Sequence, residues 1–446
     1  MQIDDVNPGG VFEGTVLVQK VRRPGPIVLS VFDGARTMDA VTRDHEFSQG
    51  DVIEMKARLG SRNGSPQLDI IEASLSDVSA DEMIDALAGT AGCEPVAQAL
   101  VPMKQVFADC ARRIRKAVFM GQDINMHFHA DADGISSVLA MDKAAKDLAS
   151  QVRSSSRISR HPSRSPYLEN TDLLRDISGD SLVILLDCGS GSENRFAVSL
   201  LRSRGLDVII IDHHRPDESL SPTVHVNPFL HGLDQRFTAG MLSYEIARLV
   251  NAGFDDILLP AISSVGDKSD IDDYREKAGD HDLVGLASSM DFFAYFLRFD
   301  PGFNVYDILF DDESRRIVVD EVERLTRRQL SYVEPVLKVE DAAGFKLIHF
   351  DLSHAKLEYP RPGKLCGIVF ERYLEGKGIV IGHFPDMLIM RVRDPVMSFP
   401  ELLEHLRSKF PASMIEGGGH DCAASISFSG IGPKQVTEEI RRILES

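Results

Sequence analysis

Long apolar runs are missing from this sequence. Its hydrophobic stretches fall far short of the ~20 residues a membrane-spanning helix needs, so no membrane partner is expected. Cysteine is scarce and scattered: Cys93, Cys110, Cys188, Cys366 and Cys422 are odd in number and include no C-x-x-C pair. That speaks against a disulfide framework and against a structural zinc site, and it fits a reducing cytosol. The opening "MQIDDVNPGG" has no basic segment followed by an apolar core, so no secretory signal is expected and the expected location is cytoplasmic. Positive charge is also short. Lys and Arg total 49 against 68 Asp and Glu, a formal net charge of −19. Nucleic-acid binders are often basic overall, so the balance counts mildly against such a partner. It does not exclude one, because a local basic groove still binds phosphate and a divalent-cation site needs carboxylates.

What is present is an ordinary globular composition, 43% hydrophobic and 26% charged, in 446 residues, which is room for two to four domains. Residues 1–76 hold five short β-rich runs, "GVFEGTVLVQKV", "PIVLSVFD", "RTMDAVTR", "DVIEMKARLG" and "QLDIIEASL", separated by turn signals such as "RRPG" and "SRNGSP". Five strands in so short a span predict a small OB-like barrel with nucleic acid as its ligand. Residues 77–118 switch to helical spacing, with Ser79 as a capping residue, and form a connector. The central domain is read over 119–335: from 120 to about 270 apolar strands alternate with helices, the pattern of a parallel sheet covered on both faces, and 271–335 read as mostly helical. Residues 336–446 return to mixed α/β. The predicted class is α/β: barrel, central parallel-sheet domain, C-terminal mixed domain.

In open parallel sheets ligands bind beyond the carboxyl ends of the strands. Here "HFHADADG", "LLDCGSGSE" and "IDHHRPD" end three successive strands, and "SSVGDKSD" follows an apolar helix. His127, His129, Asp131, Asp133, Asp187, Asp212, His213, His214 and Asp267 are therefore expected to converge on one rim. So many carboxylates need a counter-charge, and a pair of divalent cations supplies it. Mixed carboxylate and imidazole donors suit Mn²⁺, with Mg²⁺ where oxygen dominates. Two such ions activate a water and stabilise a leaving oxygen in phosphoryl transfer. Gly134 is expected to let the chain turn into the next helix. His213 and His214, as neighbours on an extended segment, are expected to point opposite ways.

These motifs, "HADADG", "LLDCGSGSE", "IDHH" and "VGD", resemble the ordered motifs of the DHH phosphoesterase superfamily, and "EGGGHDCAASISF" resembles the glycine-rich signature of the DHH-associated C-terminal domain. With the added barrel, the chain most resembles archaeal RecJ-like single-strand exonucleases. The resemblance implies Asp131, Asp133, Asp187, His213 and Asp267 as metal ligands, with Asp187 bridging. Either His129 or His127 completes the set, with His129 favoured. It implies Asp212 beside the metal, orienting or coordinating, and His214 facing the scissile phosphate. In the C-terminal domain it implies substrate contacts from Gly417, Gly418, Gly419 and His420, and from Arg391 and Arg393 in "MLIMRVRD". The basic stretch "VRSSSRISRHPSRSPY", with Arg160 and Arg164, reads as a phosphate-tracking loop. The implied activity is Mn²⁺- or Mg²⁺-dependent exonucleolytic degradation of single-stranded DNA or RNA in replication or repair, with GINS-like replisome proteins or a helicase as partners. Two other functions stay open: a phosphodiesterase for short oligonucleotides or cyclic dinucleotides, and a Cdc45-like replisome component.

Overall fold

A computed structural model describes residues 2–23, 26–42, 46–87, 93–163, 167–177, 179–296, 309–342, 344–420 and 422–445, the side chains of 170, 171, 342 and 420 excepted. The chain forms two compact units, Met1–Arg315 and Arg316–Ser446.

The first unit begins with β1 (Val11–Arg22), β2 (Ile27–Phe32), β3 (Thr37–Thr42), β4 (Val52–Arg62) and β5 (Ser65–Leu75). They close into a barrel in the order β1-β2-β3-β5-β4. Alternate residues such as Phe12, Val16, Leu29, Val31, Ile53 and Leu68 fill its interior, and closure leaves no free strand edge. The pairing of β1 with β2 slips between Val18 and Lys20. Such a bulge re-aims a side chain, and Gln19 is the one re-aimed. Its amide donates to the Phe119 carbonyl and accepts from Thr37 Oγ1. With Phe32 stacked on Phe119 at 5.4 Å and Thr37 N donating to the Val152 carbonyl at 2.8 Å, the barrel is docked on the body that follows.

That body opens with the connector helices α1 (Ala80–Leu87), entered through a Ser79–Glu82 capping box, and α2 (Lys104–Phe119). Next come β6 (Ile124–His129), α3 (Ala132–Gln151), β7 (Ile158–Ser163), α4 (Asn170–Asp176), β8 (Leu182–Leu186), α5 (Arg195–Ser203), β9 (Val208–Ile211) and β10 (Val224–Val226). The five strands are all parallel, in the order β10-β9-β8-β6-β7. Every residue of β8 and β9 is buried. Val183, Leu185, Val208 and Ile210 pack against α4 and α5, while the alternate residues Ile184, Leu186, Ile209 and Ile211 face the other way and are equally enclosed. The chain runs outward from β6 to β7 and then returns to the far side of β6, so the strand order reverses between β6 and β8. That reversal is where doubly wound sheets open a crevice. Helices α6 (Ala239–Val250), α7 (Leu258–Gly266), α8 (Asp273–Ala278) and α9 (Leu283–Phe296) complete this body.

Two strands are absent from the sequence reading, β7 and β10, and one of them corrects it. The basic stretch 152–167 is not a single loop, because Ile158–Ser163 is the edge strand of the sheet. Its polar "ISRHPS" shows no apolar alternation, and Pro162, which has no N–H to donate, is tolerated only because the strand lies at the edge.

Helix α10 (Asp312–Val333) begins in the first unit, but its last turn puts Leu330 and Val333 into the core of the second. The division between the two units falls at Arg315/Arg316, inside this helix. The second unit holds β11 (Lys338–Ala342), β12 (Phe345–Asp351), α11 (Pro362–Tyr373), β13 (Gly378–Phe384), β14 (Met387–Arg393), α12 (Phe399–Lys409), β15 (Glu416–His420), β16 (Ala423–Ser427) and α13 (Pro433–Glu445). Its sheet runs β11-β12-β13-β14-β16-β15, so the glycine-rich β15 is an edge.

Candidate metal centre

The crevice between β6 and β8 is where the acidic motifs meet. His129 is the last residue of β6, and Asp131 caps α3, its carboxylate accepting from Gly134 N at 3.0 Å. Asp187 follows β8 with φ of 53°. Aspartate tolerates this left-handed conformation better than most residues. Asp212, His213 and His214 follow β9, and Asp267 ends α7.

Three sets of side chains offer donor atoms within 4.8 Å of one another: His129, Asp131 and Asp187; Asp187, His213 and His214; Asp133, His213 and Asp267. Asp187 and His213 are each shared by two sets. Around His213 Nε2 stand Asp267 at 3.1 Å, Asp187 at 3.4 Å and Asp133 at 3.6 Å. Its other nitrogen donates to the Gln235 carbonyl at 2.7 Å, which fixes the ring so that Nε2 faces the carboxylates.

The electrostatics are those of a site short of positive charge. Burial pushes Asp133 well above the usual carboxylate range, and Asp187 and Asp267 add to the push. Burial likewise raises Asp187, with Asp131 beside it. Burial opposes a charge on His213, yet Asp187 and Asp267 hold its proton well above the ordinary value. His129 behaves the same way through Asp131 and Asp187. Asp187 Oδ1 and His213 Nε2 are buried without a hydrogen-bond partner. Orphaned donor atoms among mutually repelling carboxylates fit a divalent cation, and the mixed N/O set fits Mn²⁺ or Mg²⁺.

Asp133 is fully buried and held from three sides. Ala239 N and Gly240 N, at the start of α6, donate at 2.9 and 2.7 Å, and Ser263 Oγ on α7 donates at 2.6 Å. A helix N-terminus aimed at a carboxylate stabilises its charge. Neither the contact of α6 with α7 nor that of α3 with the end of β6 has spare room. A Cβ on Gly240 would stand 2.5 Å from Ser263 Cβ, and a Cβ on Gly134 would stand 2.0 Å from the His129 carbonyl oxygen. Gly134 lies inside α3. Close approach, and not the expected turn, is what demands glycine there.

Two further expectations need revision. His213 and His214 do not point apart: their rings lie 4.7 Å from each other, edge to face, and both reach the Asp187 set. Beyond Ile211 the chain leaves the strand, and Asp212 bends it by accepting from both His214 N (3.1 Å) and His214 Nδ1 (2.7 Å). The alternation rule of a strand has no hold there. His127, on the same face as His129 but deeper, donates to Asp176 at 2.7 Å and stacks on His161; it joins none of the three sets.

The remaining sequence candidates are placed as follows. Arg160 is largely buried and pairs with Asp142 at 3.0 Å. Arg164 and the His420 side chain lie outside the described residues. Arg391 and Arg393 share one strand face. Arg391 donates to the Gly363 carbonyl at 3.0 Å; Arg393 donates to the Leu374 carbonyl at 2.9 Å and lies over the Phe370 ring. On β15, a Cβ at Gly417 would meet the Ser425 carbonyl at 2.8 Å and Gly419 has φ of 132°, whereas Gly418 faces open space.

With this geometry established, residues 124–256 match the model of the DHH family, N-terminal domain. The chain contains a DHH domain. Along its length it is similar to the uncharacterized protein MJ1198 of Methanocaldococcus jannaschii, 30% identical over 498 residues and covering 92% of this chain and 65% of that protein. It is similar to the single-stranded-DNA-specific exonuclease RecJ of Bacillus subtilis, 31% identical over 170 residues, or 36% of this chain and 21% of the exonuclease. The chain thus spans less than two thirds of either relative. Among solved structures, the DHH domain of a member of a ribosomal-protein family matches with a TM-score of 0.75 at 28% identity, covering 82% of this chain and 97% of that one. RecJ of Thermus thermophilus in complex with Mn²⁺ matches in fold, with a TM-score of 0.56 at 17% identity, covering 78% of this chain and 56% of the RecJ chain. Among the described residues no helix is long and apolar enough to cross a membrane.

Sequence reasoning missed the groups that hold the DHH domain's histidines still. Asn227, fully buried after β10, donates to the His214 carbonyl at 2.8 Å and to Ser190 Oγ at 3.0 Å, while Ser190 N donates to Asp212 at 2.9 Å. The only signal was "VNP", a polar residue between a strand and a proline. Asp291 on α9, whose carboxylate accepts from Ala132 N at 2.9 Å, gave none. Asn227→Ala is expected to lower kcat about tenfold, the cost of one lost positioning hydrogen bond of ~1–1.5 kcal/mol. The metal concentration for half-maximal activity should stay unchanged. A shifted metal requirement with unchanged kcat would show that Asn227 supports the metal ligands instead.

Proposed function

We propose that the chain is a divalent-metal-dependent phosphodiesterase that degrades single-stranded DNA or RNA from an end. The observation that carries this reading is Asp187, buried, set on a left-handed backbone, and shared between two donor sets with one oxygen unsatisfied. His129, Asp131, Asp133, Asp187, His213 and Asp267 would hold the ions. A bound pair of Mn²⁺ or Mg²⁺ activates a water and stabilises the leaving oxygen in such sites.

The chain's own groups do the rest. Burial opposes a charge on His214, but Asp212 beside it raises its proton affinity to about 9. His214 Nδ1 is held by Asp212, and the ring so oriented would donate to a non-bridging phosphate oxygen as charge develops there. Asp212 itself stays ionised far below the usual range, against burial, through His214. Support for a polymeric single-stranded substrate comes from the named activity of the B. subtilis relative and from the barrel docked on the same unit, which a dinucleotide substrate does not require.

The test is digestion of end-labelled single-stranded DNA and RNA with Mn²⁺, each end blocked in turn. Blocking one end should halt product formation and blocking the other should not. Cleavage of dinucleotides alone, with long strands untouched, would replace this reading with a small-substrate phosphodiesterase.

A further inference from the structure

We infer that a phosphoryl group binds in a pocket where α3 ends, at the seam between the barrel and the body. That the phosphate belongs to the backbone of a long single strand rests on the reading of the chain as a nuclease; the pocket itself does not. The pocket, of about 520 Å³, is lined by Lys146, Ser150, Arg153, Ser154 and Ser156, among others, and no carboxylate is among its described lining residues. It is remote from the candidate metal centre. Asp131 caps one end of α3 and Arg153 lies beyond the other, and 20 helical residues at about 1.5 Å each put ~30 Å between them. The barrel reaches this end of the helix through Thr37 N, which donates to the Val152 carbonyl, and through Lys20 Nζ, which donates to the Ser155 carbonyl at 3.2 Å.

The backbone at Arg153 sets this side chain apart. Two capping bonds close α3, from Arg153 N to the Ser150 carbonyl at 3.2 Å and from Ser154 N to the Ala149 carbonyl at 2.8 Å. Arg153 is thus the residue just past the helix end, with φ of 51°. Glycine is the usual occupant of that position, because a Cβ there is strained. A cation near a helix C-terminus is favourable, but the last turn of α3 holds no basic residue and would have placed one without that strain. Strain of this kind concentrates at ligand sites. The capping bonds also occupy the last carbonyls, which would otherwise repel an anion.

Charge points the same way. Of the arginines in the basic stretch, Arg157 is paired with Asp123 and Arg160 with Asp142. Arg153 is exposed and, among the described residues, has no ion-pair partner. Lys146 shares Asp142 with Arg160, so it can turn to a ligand and leave that buried carboxylate neutralised. Across the seam stands Arg36, paired with Asp4. Its guanidinium is pushed below the ordinary arginine value, first by burial and then by the charge of Arg153, and its Nε is buried without a hydrogen-bond partner. Two guanidiniums brought together in a chain of net charge −19 mirror the carboxylates of the metal centre: there a cation relieves the crowding, and here an anion does. The hydroxyls of Ser154 and Ser156 are turned to carbonyls of α2, so the pull comes from the charged groups. A phosphate, which offers oxygens in more than one direction, can meet Lys146 and Arg153 together.

The experiment uses the full chain in chelator, so that nothing is cut. About 10 mM pyrophosphate should raise the melting temperature by about 2 °C over sodium chloride of equal ionic strength. Arg153→Gly should abolish that rise. Glycine accepts the left-handed backbone, so without ligand this variant should melt within about 1 °C of the natural chain or above it. Lys143→Gln removes a charge from the same helix outside the pocket and should keep the full rise. With a 20-nucleotide oligo(dT) as probe, Arg153→Glu combined with Lys146→Gln should bind at least fivefold more weakly at 0.1 M salt. Arg153→Gln should flatten the slope of log affinity against log salt by about 0.7, the share of one phosphate contact. A full pyrophosphate rise in Arg153→Gly, together with unaltered strand affinity and slope, would overturn the site. A lost rise with unaltered strand binding would keep the site and give it to a free phosphorylated molecule; weakened strand binding alone would give it to the backbone. Mn²⁺-dependent hydrolysis of a dinucleotide, too short to span ~30 Å, should be the same in all variants. If no chain hydrolyses it, the nuclease reading fails, whereas the melting and binding data in chelator still decide the pocket.

Discussion

Asp187→Ala is expected to remove metal-dependent phosphodiester hydrolysis, by roughly 10³-fold or more, beyond what the loss of a single transition-state donor costs. The reason is its position: Asp187 completes the set with His129 and Asp131, and through His213, 3.4 Å away, it adjoins the set with Asp133 and Asp267. Its loss leaves the first incomplete and takes a donor from beside the second. The fold should survive. Burial already raises the Asp187 proton affinity with Asp131 alongside, so removing the group relieves like-charge repulsion. Alanine at φ of 53° costs about 1–2 kcal/mol, so Asp187→Asn, which accepts that backbone and keeps a polar side chain, serves as the companion. Thermal melting separates the effects. The natural chain should gain stability with Mn²⁺, by about 2.7 kcal/mol at a hundredfold excess over Kd, and neither variant should gain as much. Turnover within about threefold of the natural chain in both variants would defeat the bridging role.

The second large effect concerns the adjacent histidines, which the structure places together but equips differently. His213 Nε2 lies among Asp133, Asp187 and Asp267 with its side chain 7% exposed, while His214 is 29% exposed and tied through Nδ1 to Asp212. His214→Ala should lower kcat about 10²–10³-fold, the scale of one lost oxyanion donor, with the Mn²⁺ requirement little changed. His213→Ala should instead raise the Mn²⁺ needed for half-maximal activity and be partly rescued by excess metal. The rings are 4.7 Å apart, so metal titration by calorimetry on both variants is the discriminating measurement. If His214→Ala requires much more Mn²⁺ and then recovers fully, the two roles are exchanged.

The barrel, the parallel sheet and the acidic rim were legible in the sequence because each is written in local pattern: alternation in 11–75, unbroken aliphatic runs at 182–186 and 208–211, polar clusters at their ends. What was not legible is set by neighbours distant in sequence. Strand 158–163 exists because β6 offers it an edge, not because "ISRHPS" favours extension. His127 and His129 have the same residue type and the same strand face. Only the position of Asp176, 49 residues away, draws His127 elsewhere. The pairing of Arg160 with Asp142 likewise depends on how α3 lies over the edge strand. The mutual orientation of His213 and His214 turned on a two-residue hydrogen bond that bends the chain, which no periodicity records.

The close packing of α3 against the end of β6, and of α6 against α7, has a consequence for how this protein tolerates change. Gly134 and Gly240 bring no side chain to the candidate metal centre, yet the atom an alanine would add at either lands inside its neighbours. A random sweep of substitutions would therefore find two kinds of silenced chain: those missing a ligand atom, and those with every ligand atom present but displaced by a single methyl group. The fault line of the proposed centre runs through its smallest residues.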